Sequence, residues 1–222
     1  MIKRKITIGN YDTAAHGWTL TSWAFSEAQQ KTNYIDIPGG DGTWDASTSL
    51  TDGIPIYSDR TFSATLECSE GDRLYRESLI SQMVNELDGL QWDIELPDDQ
   101  YHHIEGRVHV ARKYNDMAHA SVTVTATCKP WKFSNSDKVT KLTASATEKK
   151  AELNNNGRRA VVPVLTVTGT GASILLKYGT ASKALGAGTY KWADLLLTPG
   201  NHVLTYSGSG TLTVTYREAV LE

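Results

Sequence analysis

Four aspartates crowd one short stretch of this 222-residue chain. Asp36, Asp41 and Asp45 lie in "IDIPGGDGTWDAS", and Asp52 follows in the next polar turn. Carboxylates this close can hold a cation or act as an acid–base pair. A calcium loop of the helix–loop–helix kind needs oxygens at fixed alternate positions and a closing glutamate, which this run does not supply. Paired carboxylates for glycoside hydrolysis are defined by separation in space, which a sequence does not give. The expectation for these aspartates is a solvated turn.

The histidines form the second candidate set. In "YHHIEGRVHV", period-2 alternation puts His103, Glu105, Arg107 and His109 on one face of a strand, with His102 adjacent. Same-face neighbours stand about 6.6–7 Å apart, so a cation could bridge only His103 and Glu105 without help from elsewhere. The expected role of this face is a polar outer surface, against solvent or a neighbouring subunit. His16 and His202 carry no partner signal. Nothing resembles a nucleophile elbow, a phosphate-cradling loop or an H-E-x-x-H zinc site. "GGDG" lacks both the glycine order and the following helix of a dinucleotide fingerprint. No residue is assigned to catalysis, to a metal or to a cofactor. The two cysteines, Cys68 and Cys128, fall in apolar phase and read as buried thiols.

The aromatics remain. Six tryptophans and ten tyrosines suit either sugar stacking or a protein interface, and composition does not separate the two. Trp92 is in apolar phase, whereas Trp44, Trp131 and Trp192 lie near turns.

The elements that must position these residues are mostly strands. "RTFSATLEC", "LQWDIEL", "IEGRVHVARKY" and "ASVTVTATC" alternate apolar and polar, and "NDMAH" joins the last two as a hairpin. One helix is expected over about 72–88, with Asp72 at its start and Gly89 at its end. Leu79, Ile80, Met83, Val84 and Leu87 form its apolar stripe. Residues 134–160 turn rich in Ser, Thr, Lys and Asn, with "NNNG" at 154–157 as a turn. Beyond them, short β runs are punctuated by Gly and Pro at 169–171, 186–188, 199–200 and 208–210. The fold class expected is mainly β. Residues 1–133 would form a sandwich- or barrel-like β domain with one helix, and residues 134–222 a β-sandwich of the galectin or carbohydrate-binding-module kind.

Charge narrows the partners. Residues 1–133 carry 12 Lys/Arg against 19 Asp/Glu, and residues 134–222 carry 10 against 6. An acidic half repels nucleic acid. No apolar run approaches the roughly 18–20 residues of a membrane span. The basic N-terminus has no apolar stretch behind it, so folding in the cytoplasm is expected.

Taken in order, these segments resemble the distal tail proteins of long-tailed, non-contractile bacteriophages and prophages. "YIDIPGGDGTWDASTSLTDGIPIYSDRTFSATLEC" is similar to that family's strand and "PG-x-DG-x-(L/W)-D" turn, followed by a "Y-x-x-R" segment. The match falls on Pro38, Gly39, Asp41, Gly42, Trp44 and Asp45, then on Tyr57 and Arg60. "LDGLQWDIELPDDQYHHIEGRVHV" and the closing "LTPGNHVLTYSGSGTLTVTYREAVL" extend the likeness. The resemblance implies a non-enzymatic virion component of the tail tip, assembled in the host cytoplasm. It further implies a homo-hexameric ring that meets the tail-tube protein, the tape-measure end and the tail-tip or receptor-binding proteins. DNA would pass through the ring unbound, and the eight matched residues become assembly candidates. The alternative expectation is a lectin-like protein gripping cell-wall sugars through Tyr190, Trp192 and Tyr206 of the C-terminal sandwich.

Overall fold

The computed structural model describes residues 5–51 and 53–222, so Asp52 lies outside the described residues. The chain divides into two compact units, residues 1–132 and 133–222.

The first unit holds β1 (Thr7–Ile8), β2 (Tyr11–Asp12), β3 (Thr19–Phe25), β4 (Tyr34–Asp36), β5 (Thr43–Asp45) and β6 (Arg60–Cys68). The helix α1 (Arg73–Leu87) follows, then β7 (Gln91–Leu96), β8 (Asp99–Asn115) and β9 (Ala120–Ser134), whose last two residues belong to the second unit. A curled half-barrel sheet runs β2-β1-β7-β8-β9-β6-β3, while β4 and β5 pair only with each other.

Alternation makes the core. Phe62, Ala64 and Leu66 of β6 sit directly opposite Ala126, Val124 and Val122 of β9, all buried. A one-residue slip would turn both rows outward, so burial itself enforces the register. Gly106 of β8 is required by a close approach to β9. A Cβ there would lie 2.5 Å from Cys128 Sγ and 2.9 Å from the Thr127 carbonyl. Both cysteines are free and buried.

The helix closes the core. Leu79, Ile80, Met83 and Leu87 are buried, and Val84 packs beside them. Asp72 caps the start by accepting from the Tyr75 N–H at 2.8 Å. Asp88 caps the end, and Gly89 follows with a φ of +74°. Arg76 is buried too, donating to the carbonyls of Gly71, Asp116 and Met117 at 2.7, 3.0 and 3.2 Å. It thereby locks the first helical turn to the β8–β9 hairpin.

The second unit holds β10 (Lys138–Thr143), β11 (Lys149–Asn155), β12 (Val164–Tyr178), β13 (Ala181–Gly186), β14 (Gly188–Lys191), β15 (Gly200–Tyr216) and β16 (Ala219–Val220). The polar stretch 134–160 thus carries two strands. Both pair with β15 at the sheet border, which leaves alternate side chains in water and explains the lysines.

The glycines at 169–171 and 208–210, expected to separate strands, instead bend two long ones. The first half of β12 pairs with β14 and its second half with β13. The first half of β15 pairs with β11 and its second half with β10. A register shift falls between Thr168 and Ser173, at the bend. Both halves of both strands feed one core of Leu165, Val167, Ile174, Leu176, Leu204, Leu212 and Val214. The sandwich is therefore a single sheet folded over at glycine corners.

Candidate assembly surface

The aspartate-rich stretch forms a projecting hairpin. Tyr34 faces Asp45, Ile35 faces Trp44 and Asp36 faces Thr43. Gly39 and Gly42 have φ of +74° and +79° with no atom near a built Cβ, so glycine serves the backbone there rather than space. Asp45 Oδ1 accepts from the Ser47 N–H at 2.9 Å, and Ser47 holds the carboxyl below the usual carboxylate range. Asn33 closes the foot, donating its N–H to Ser47 Oγ and accepting from the Ala46 N–H, each at 2.8 Å. Ladder bonds between Lys31 and Ile56 and between Ser58 and Gln29 continue the arm toward the sheet.

Every side chain of this hairpin is exposed. Tyr34, Ile35, Ile37 and Trp44 show 59%, 44%, 46% and 56% of their surface. An isolated two-stranded hairpin is marginal in water, and four large apolar side chains left wet are what a partner surface presents. Pro38 and Asp41 lie in its exposed turn.

The two remaining matched residues are placed differently. Tyr57 stands at the root, its ring edge-on to Trp131 at 5.3 Å. Arg60, expected at an interface, is 2% exposed, which corrects that expectation. Its guanidinium lies 3.6 Å over the Phe25 ring, donates to the Ser26 carbonyl and reaches the Pro130 carbonyl at 3.5 Å. Arg60 clamps the foot of the arm to β6, β3 and β9 from within the fold.

Two of the three sugar-stacking residues are corrected as well. Trp192 and Tyr206 are 5% and 6% exposed, inside the sandwich core, so neither offers a free ring face. Trp192 donates its indole N–H to Asp194 at 2.7 Å, and Tyr190 packs half-buried against the same core.

The histidine strand is only partly an outer face. His109 is exposed and meets Asp88 Oδ1 at 2.8 Å. That oxygen also accepts from the Val110 N–H, which chiefly holds the Asp88 carboxyl below its ordinary range. His102 pairs with Asp99 at 3.0 Å. His103, expected to point outward, is 5% exposed. Its Nε2 stands 3.8 Å from Asp93 Oδ2 and 4.0 Å from Glu105 Oε1, while the other Glu105 oxygen is bound by Lys129. Asp93 escaped the sequence reading because it lies on another strand. Counting back through the β7–β8 hairpin would have found it, since it sits directly across from Glu105. Among the described residues, Asp93, His103 and Glu105 are the one group of three whose ligand atoms gather as a cation would need. The hairpin aspartates do not converge in this way.

No protein-family model matches the chain, and no curated protein matches it. Solved structures do. The crystal structure of the SPP1 Dit protein, titled a paradigm of the hub adsorption apparatus in phages infecting Gram-positive bacteria, superposes with a TM-score of 0.67 at 13% identity. That match covers 96% of this chain and 98% of the SPP1 protein. A chain of the phage P2 baseplate, in its activated conformation with calcium, follows with a TM-score of 0.50 at 7% identity, covering 98% of each. At such identities the likeness establishes the fold, which is Dit-like over nearly the whole chain.

Proposed function

We propose that this chain is a distal tail protein, a structural hub of a phage tail tip. Six copies close into a ring joining the tail tube to the host-recognition apparatus, and DNA passes through. The observation that carries this reading is the hairpin arm, exposed along its whole length, in a chain with the Dit-like fold. A closed cyclic ring needs one patch on each copy to meet a different patch on the next. An arm held out by the Arg60 clamp is such a patch. The acidic balance of residues 1–133 suits a passage that must not retain phosphate. Tube, tape-measure end and receptor-binding proteins are the expected partners, and the protein works by geometry rather than catalysis.

Trp44 supplies the test. Burying its exposed 56%, on the order of 140 Å² of a large aromatic surface, is worth about 3.5 kcal/mol per interface. Light scattering and electron microscopy of the purified chain, alone and with its tail-tube partner, should show hexamers. Trp44→Ala should shift them to monomers with the melting temperature of the monomer unchanged. A wild-type chain that stays monomeric in both settings, and is absent from tail tips, overturns the proposal.

A further inference from the structure

We propose that Asp93, His103 and Glu105 form a binding site for a first-row divalent transition metal such as zinc. This inference does not depend on the tail-tip reading. Three features of the β7–β8 hairpin carry it.

The first is geometry. His103 and Glu105 are two residues apart on β8, hence on one face, and Asp93 is the direct cross-strand partner of Glu105. Their three ligand atoms all lie within 4.8 Å of one another. Ligand atoms around a tetrahedral ion with bonds of about 2.0–2.1 Å stand about 3.3 Å apart. The 62% exposure of the Asp93 side chain leaves it room to turn toward the ion, while Glu105 keeps one oxygen on Lys129 and the other toward His103.

The second is charge. Like charges directly opposite in a ladder repel, and Asp93 and Glu105 are such a pair. Lys129 from β9 binds one Glu105 oxygen and offsets one negative charge. The other oxygen stays turned toward His103, and the cluster keeps a net negative charge that a cation would neutralise. The third is donor chemistry. An imidazole nitrogen with two carboxylates selects zinc, cobalt, nickel or manganese over calcium and magnesium, which demand oxygen throughout. A bound ion would pin β7 to β8 and leave coordination positions open to water.

The test uses the full-length chain without a purification tag, stripped of metal. Titration calorimetry with zinc and visible spectroscopy with cobalt read the binding, with calcium as competitor. One equivalent of zinc should bind, and calcium should not displace it. Asp93→Asn, at an exposed position that leaves the fold intact, and His103→Gln should each weaken binding at least about tenfold. Failure to bind zinc stoichiometrically, equal affinity in Asp93→Asn, or displacement by calcium at matched concentration would each overturn the proposal.

Discussion

Replacing Gly208 by alanine should damage the second unit far more than replacing Gly171, although both glycines lie at the same corner. Gly171 has a φ of +64° and open space around its missing Cβ. Alanine there meets only the left-handed backbone cost of about 1–2 kcal/mol, partly offset by a less flexible unfolded chain at about 0.4–1 kcal/mol. Gly208 has a φ of +126°, and a Cβ would stand 2.0 Å from the Ser173 carbonyl oxygen. That backbone region belongs essentially to glycine and costs about 1–3 kcal/mol, and forcing the two long strands apart adds about 1–3 kcal/mol. A net loss near 4 kcal/mol is expected, set against roughly 5–13 kcal/mol for a unit of this size. At about 4–8 °C per kcal/mol, the melting transition of the second unit should fall by more than 10 °C. Calorimetry locates the transition, and hydrogen exchange over residues 164–178 and 200–216 assigns it to the corner. If Gly208→Ala costs no more than Gly171→Ala, the folded-over-sheet account is wrong.

Arg76→Met should destabilise the first unit by about 1.5–3 kcal/mol, because the charged hydrogen bonds that tie the first helical turn to the β8–β9 hairpin are lost, with faster amide exchange at 116–118 as the sign. Burial pushes the Cys128 thiol and the Tyr11 phenol each up to about 12. Folding therefore favours their protonated forms. The associated stability is full below the ordinary values of 9.0 and 10.0 and is lost as pH rises toward 12. Urea unfolding at pH 8 and pH 10.5 should show the first unit weakening, and Cys128 should resist alkylation until the chain unfolds.

Much of the architecture was legible in local pattern. Alternation in "RTFSATLEC" and "ASVTVTATC" marks two core strands, because a half-buried strand repeats every two residues whatever covers it. Asp72 and the Leu79–Leu87 stripe mark the helix, because capping and helical period are local properties. The hairpin of "IDIPGGDGTWDAS" was legible as a solvated glycine turn between strands, and the exposure of Tyr34, Ile35 and Ile37 beside it was not.

Whatever depended on a distant neighbour was decided by tertiary structure. Alternation assigns His103 to a face, and only packing decides that this position is covered. The same gap hid Asp93, whose relation to Glu105 is a register between strands. Arg60 and Trp192 read as polar and aromatic surface candidates, yet each lies buried where its polar atoms find partners. Glycines 169–171 and 208–210 are the sharpest case. Glycine signals that the backbone departs from a straight strand, and whether the chain stops or folds over depends on which strands pair beyond the bend. Local sequence therefore determined the core strands of the first unit, the helix and their apolar faces. Pairing across the chain determined the corners, the clamp beneath the arm and the cluster on β7 and β8, because burial and register are properties of two segments together.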